Sequence, residues 1–280
     1  MKVSKTSNNI IYKTFVQIVF IFLTITVLFT LYYLISNSLK TPKEFNFSQF
    51  SIPKTIFFSN FKYVWTIGGI SKPFLNSIYI SSISVVVCLI IAILAGFSFT
   101  LYKFRGKTLL SHLIISTMYV SPMAIIIPLF LQMEKLNLNN TYTGIIIIYV
   151  GLNLAFSIFL MSTYFQNIEQ EIIEAAVIDG CNNISLLIKI FVPLTKPGII
   201  VLSIIVFTSI WNELLFAFIF LQSNAKQTIM VSIAKFQGQY GVGDMTKILS
   251  ALLITTLPTM IIYLSAQKFL KGGVMLGAIK

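Results

Sequence analysis

The sequence predicts an all-α polytopic membrane protein with six transmembrane helices. Only 10% of its 280 residues are charged while 56% are hydrophobic, and a soluble domain would carry about 25% charged residues. Six apolar runs reach the roughly 20 residues that a helix needs to cross a hydrocarbon core about 30 Å thick. They lie approximately at 14–36, 74–101, 109–131, 143–165, 197–221 and 249–270, with the lysines mainly in the gaps between them.

The first run follows Lys2, Lys5 and Lys13. It is longer than the apolar stretch of a signal peptide, and no small-residue cleavage site is evident, so it reads as a retained span. Six spans put both termini on one side. With the N-terminus inside, eleven basic residues fall on the inner side and nine on the outer. Lys103, Arg105 and Lys107 crowd the short loop at 102–107, whereas the outer segment 37–71 spreads its lysines widely. Because short loops set orientation, the charges favour cytoplasmic termini.

Several function classes are excluded at this level. The net charge of +12 belongs to inter-span lysines, with Arg105 the one arginine, so no nucleic-acid surface is expected. Cys88 lies in an apolar run and Cys181 in a polar loop, which argues against a disulfide. His112 has no second histidine to join it, and no metal site is expected. Arg105-Gly106-Lys107-Thr108 contains a Gly-Lys-Thr fragment. A phosphate loop needs a glycine five residues before Gly106, where Leu101 stands.

The third, fourth and sixth runs carry helix-weakening residues: Pro122 and Pro128, Gly144 and Gly151, and Pro258. In a bilayer such breaks survive where protein or a water-filled cavity satisfies the freed backbone. Two readings stand, a translocation path and ordinary kinked packing. Glu213, within Trp211-Asn212-Glu213 of the fifth run, is sharper. A mid-bilayer charge costs roughly 2.5–3.5 kcal/mol on insertion scales, so Glu213 should face the protein interior or be protonated, with Asn212 available to satisfy it. It is either a structural interhelical hydrogen bond or part of the pathway. Trp211, Asn212, Glu213 and Asn153 are the candidate pathway residues.

The polar loop at 166–196 holds the most informative pattern. Ile168, Ile172, Ile173, Ala176 and Val177 recur at helical spacing. Glu169 and Glu171 suit the first turn, and Gly180 supplies a residue that can take positive φ and end the helix. Asn182 or Asn183 can cap a second short helix presenting Ile184, Leu187, Ile188 and Phe191 until Pro193 stops it. Thr195, Lys196 and Pro197 then lead into the fifth span. The result is a pair of short amphipathic helices at a sharp bend, which either lie on headgroups or seat in a partner's cleft.

The segment from Glu174 to Pro197 closely resembles the EAA loop of binding-protein-dependent ABC importer permeases. Glu174, Ala175, Ala176, Asp179, Gly180, Ile190, Pro193 and Pro197 match, while Cys181 stands where the family often has alanine. Trp211-Asn212-Glu213, Gln267, Phe269 and the terminal Gly277-Ala278-Ile279-Lys280 resemble the second permease subunit of the maltose/glycerol-phosphate class. The tail lacks that class's usual further glycine. The resemblance covers roughly 72–280 and implies a five-helix, MetI-like permease core behind one N-terminal span. Residues 1–71 are then tail, first span and external loop, and 72–280 the core with its cytoplasmic loop.

It further implies a second homologous permease, two cytosolic ATPase subunits and an extracellular substrate-binding lipoprotein, in a bacterial plasma membrane. The solute would be sugar-like, and ATP would be bound only by the partners, so no cofactor and no enzymatic activity are expected of this chain. Glu174, Ala175, Ala176, Asp179, Gly180 and Pro193 would couple to the ATPase. The glycine-rich segment 236–244 is either a contact for the binding protein or a plain loop. The rival reading is an ion-coupled transporter working without an ATPase, for which Glu213 is the one intramembrane acid.

Overall fold

A computed structural model describes residues 3–240 and 244–278, and side chains over 12–236 and 244–267. Among these residues the chain is helical, with no strand. Helix α1 is Val3–Ser38, followed by the short α2, Pro42–Phe47, and α3, Ser59–Thr66. Then come α4, Ser71–Leu101; α5, Lys107–Ser116; α6, Ile126–Lys135; and α7, Tyr142–Gln166. The polar loop holds α8, Gln170–Ile178; α9, Asn183–Leu186; and α10, Val192–Leu194. The chain continues through α11, Lys196–Trp211; α12, Leu215–Phe220; α13, Ile229–Tyr240; and α14, Met245–Ala278. The glycine-rich stretch at 241–243 and the last residues of the tail lie outside the described residues.

Among the described residues four segments are long and apolar enough to cross a membrane: Tyr12–Ser38, Ser71–Leu101, Tyr142–Gln166 and Met245–Gln267. Six spans result if each of two bent helix pairs counts as one. The third expected run is therefore not the continuous helix its hydropathy suggests, whereas the second bend, between Asn183–Leu194 and Lys196–Trp211, falls before the fifth run begins. Lys107–Tyr119 and Pro122–Lys135 meet at 95°. The residue before a proline is pushed toward extended backbone, and Ser121 has φ −61° and ψ 125°. Pro128 causes no break because it falls in the first turn of α6, where its missing N–H has no intrahelical partner to lose. Gly144, Gly151 and Pro258 all sit within continuous helices. The fifth run is broken at Asn212–Leu214. Its α11, at 16 residues, covers about 24 Å.

The chain divides into two compact units. The larger, Ser71–Ser232 with Thr256–Lys280, is built on α4 against α7, with α11 packed on both. Ile80, Cys88, Ala92, Ile145, Met161, Leu202 and Val206 fill its core. A Cβ on Gly198 would come within 2.6 Å of the Tyr164 ring, so a glycine is what lets α11 approach α7. At one end, Asn76 Nδ2 donates to the carbonyls of Ala225 and Gln227 at 3.0 Å each, and Asn76 Oδ1 accepts from Tyr142 Oη at 2.9 Å. These bonds tie the loop after α12 to the starts of α4 and α7.

The smaller unit is Met1–Ile70 with Ile233–Thr255. Its loop after α1 is built around Lys40, whose side chain is fully buried. Lys40 Nζ donates to Asn37 Oδ1 at 2.9 Å, Ser48 O at 3.0 Å and Gln49 O at 3.3 Å. Burial lowers the Lys40 pKa from its usual value, partly offset by Glu44. Asn60 Nδ2 donates to Ser38 O and Lys40 O, and Ser250 Oγ donates to Ser38 O.

Candidate coupling elbow and intramembrane break

The elbow is made by backbone geometry. Helix α8 ends at Ile178, and Gly180 has φ +82°. The Cys181 N–H donates to Ala176 O at 3.0 Å and the Gly180 N–H to Val177 O at 3.0 Å, the bond pair of a Schellman motif. A Cβ on Gly180 would meet nothing within 4 Å, so φ, not space, requires glycine here. Asn182 is the residue that caps α9, its Oδ1 accepting from the Ser185 N–H at 2.8 Å. Glu169 stands at the N-cap of α8 without a side-chain capping bond, and Glu171 is in the first turn.

Beyond α9 the chain forms one turn of π-helix, Leu187–Phe191, and then α10. Pro193 does not stop the helix. The helix from Asn183 runs on through the π turn and past Pro193, and the turn at Thr195 ends it. The segment Asn183–Leu194 then meets α11 at 76°.

Two faces result. Inward, Ile173, Ala176, Leu186 and Phe191 are buried. The Phe191 ring lies 4.9 Å from that of Phe97 on α4, at 87°, and 5.2 Å from that of Phe165 on α7, at 76°. Edge-to-face rings at such distances add about 0.5–1.5 kcal/mol beyond area burial. This clamp fastens the loop to the ends of two long helices. Outward, Val177, Ile178 and Ile184 are exposed at 56, 85 and 70%, among the exposed Glu171, Glu174 and Asp179. Of the six coupling candidates, Glu174, Ala175, Asp179 and Gly180 are exposed around the bend and Pro193 is exposed beyond the π turn. Ala176 faces inward, where it is 7% exposed.

The intramembrane break uses side chains instead. Trp211 is buried, stacked on Phe207 at 5.6 Å and edge-on to Phe74 at 5.6 Å. Asn212 does not satisfy Glu213. Its Nδ2 donates to Thr208 O at 2.9 Å, closing the C-terminal end of α11. Glu213 covers the next helix start. Its carboxylate accepts from the N–H groups of Phe216 at 2.8 Å and Ala217 at 3.0 Å, and from Tyr149 Oη at 2.8 Å. A carboxylate at a helix N-terminus pairs with orphan donors and the positive end of the dipole. Adjacent residues thus cap the two helix ends that the break creates.

Glu213 and Asn153 line one cavity of about 400 Å³ with Tyr149, Ser209 and the broken third span at Ser121 and Pro122. Trp211 and Asn212 do not line it. Asn153 Nδ2 donates within its own helix to Tyr149 O at 2.8 Å. Sequence reasoning misses the Phe97–Phe165–Phe191 clamp and Tyr149. A phenylalanine in an apolar run carries no mark of its partner, whereas a tyrosine at position 149 does offer a hydroxyl in need of one.

A family model described as "binding-protein-dependent transport system inner membrane component" matches residues 88–274. The putative ABC transporter permease protein ORF2 of Caldicellulosiruptor sp. (strain Rt8B.4) is 34% identical over 89% of this chain and 90% of its own. The trehalose/maltose transport system permease protein MalG of Thermococcus litoralis is 31% identical over 73% of this chain and 74% of its own. Among solved structures, a bacterial ABC transporter involved in import of the acidic polysaccharide alginate superposes with a TM-score of 0.80. It is 25% identical and covers 96% of this chain and 98% of its own.

Proposed function

Because the chain belongs to the binding-protein-dependent transport system inner membrane component family, we propose that its 170–196 elbow is the handle by which a cytosolic ATPase drives import. The chain is the membrane-spanning permease of an ABC importer, a transport component, and family membership favours this over an ion-coupled carrier. In the proposed assembly it forms half of a pathway completed by a second homologous permease. Two ATPase subunits bind ATP and grip the elbows, and an extracellular lipoprotein delivers a saccharide. The names of the relatives support the solute class: one permease belongs to a trehalose/maltose system and one solved transporter to alginate import. Both termini lie in the cytoplasm of a bacterial cell.

The observation that carries this reading is the two-faced elbow. Its outer face offers Val177, Ile178 and Ile184 to a partner, ringed by acids. Its inner face is locked by Phe191 between α4 and α7. ATP-driven closure of the ATPase dimer moves the elbow, and a rigid clamp transmits that motion to the long helices as rotation rather than dissipating it in the loop. The cavity at Glu213, Asn153 and Ser121 is the stretch of pathway contributed by this chain. A broken helix is tolerated at that depth because its backbone lines a cavity.

The test is a Val177→Cys chain co-expressed with the ATPase subunit. A cross-link to the ATPase whose yield changes on adding ATP supports the reading. Transport by the reconstituted chain with no ATPase present, or labelling of the introduced thiol from outside intact cells, defeats it.

A further inference from the structure

The segment after α1 doubles back along the C-terminal part of that helix. Lys13 is the last charge before Lys40 in this region. If Lys13 marks one headgroup layer, a helix rising 1.5 Å per residue reaches the other boundary of a core about 30 Å thick some 20 residues on, beside Tyr32 and Tyr33. Tyrosines concentrate at such boundaries. Phe50 returns to this depth. Its ring lies 6.1 Å from Phe29 and 6.0 Å from Tyr33, and its carbonyl accepts from Tyr32 Oη at 2.9 Å. Tyr33 Oη donates to Gln49 Oε1 at 3.3 Å.

Among the described residues, the same segment leaves several apolar side chains largely exposed. Phe47 is 89% exposed, Ile52 75% and Phe50 65%. The buried Lys40 holds the carbonyls of Ser48 and Gln49 between them, so the apolar side chains stand on a built loop. Exposed Lys43 and Lys54 flank them. Apolar tips at the depth of an interfacial tyrosine pair, flanked by ammonium groups, match the boundary between acyl chains and phosphate.

We propose that residues 42–58 form an interfacial anchor. Phe47, Phe50 and Ile52 enter the headgroup–acyl boundary at the C-terminal end of α1, and Lys43 and Lys54 meet the phosphates of anionic phospholipid. The anchor rests on α1 crossing the bilayer and is independent of how the elbow works. It fixes the depth and tilt of a helix whose own surface is exposed over most of its length.

The full chain carrying Phe47→Cys or, separately, Ile52→Cys, with Cys181→Ser and the buried Cys88 left in place, is labelled with an environment-sensitive fluorophore. It is then reconstituted in vesicles of phosphatidylethanolamine and phosphatidylglycerol. The expected result is quenching by lipid brominated high on the acyl chain and loss of quenching by aqueous iodide at both positions. Adding Lys43→Glu and Lys54→Glu should remove the dependence of lipid quenching on phosphatidylglycerol content. Quenching by iodide without a response to brominated lipid overturns the anchor. So does a label that becomes shielded only when a substrate-loaded binding protein is added, which would make the surface a protein-docking site.

Discussion

The elbow at Gly180 and the break at Asn212–Leu214 both interrupt helical sequence, yet they are held in different ways. At the elbow the backbone closes α8 through two N–H groups, one side chain, Asn182, caps α9, and Val177, Ile178 and Ile184 stay exposed. At the break side chains hold both ends, with Asn212 closing one helix and Glu213 opening the next. Water can satisfy an exposed helix end, so the elbow depends mainly on the right φ, with a local cap of modest weight at Asn182. Lipid cannot, so the break must carry its own caps. A junction that works by contact and a junction that works by lining a cavity therefore fail under different substitutions.

The largest effect should come from the clamp that ties the elbow to the spans. Phe191→Ala removes a fully buried ring and should cost about 3–5 kcal/mol, seen as a lower thermal unfolding midpoint in detergent. Because the outer face of the elbow is untouched, the ATPase should still co-purify while ATP hydrolysis no longer drives uptake. Retained, tightly coupled uptake would break the claim that Phe191 transmits the motion. Glu213→Ala comes next. It takes the shared acceptor from Phe216, Ala217 and Tyr149; because Phe216 and Tyr149 border the cavity, where water can stand in for part of it, the expected cost is about 1–3 kcal/mol in all. Tyr149→Phe made with it should recover part of the loss, since one stranded donor is then gone. A double variant no better than the single would argue that the tyrosine bond contributes nothing.

Gly180→Val sits lower on the scale. Positive φ costs an L-residue roughly 1–2 kcal/mol, and a β-branched side chain is worse placed there. Insertion should be intact and uptake abolished, because the strain is relieved by opening the bend that presents the outer face. Gly180→Asn should keep most activity, since asparagine tolerates this region and a Cβ there meets nothing within 4 Å. Equal loss in both variants, measured as solute uptake at matched membrane levels, would mean that the partner touches the glycine itself.

The difference between the two junctions also explains what can be read from residues alone. The elbow is legible because its signals are local. Glycine supplies the φ, and a cap lies within three residues of its donor. Pro122 marks a possible break, but so do Pro128 and Pro258, and the primary sequence does not separate a proline in a first turn from one at a junction. The break at Asn212–Leu214 is hidden inside an apolar run, with Glu213 visible only as an expensive charge. Its partners are Tyr149, 64 residues away, and backbone groups whose need for a partner arises only once the helix has broken. Adjacency suggests Asn212 as the partner of Glu213. In the structure, adjacent residues across a break serve different helices.

The smallest predicted effect isolates the cap from the bend. Asn182→Ala removes the Oδ1 that accepts from Ser185, a loss of typically about 1 kcal/mol for an N-cap, and leaves the φ of Gly180 and the bonds closing α8 unchanged. Asn183 is already the first residue of α9, so shifting the helix start by one would move Ile184 and Leu186 out of their exposed and buried positions. The chain should accept a frayed first turn instead. Uptake should fall modestly at ordinary temperature and more steeply on warming, with Asn182→Asp restoring it. If Asn182→Ala were as damaging as Gly180→Val, the orientation of α9 and not the bend before it would be what the partner reads.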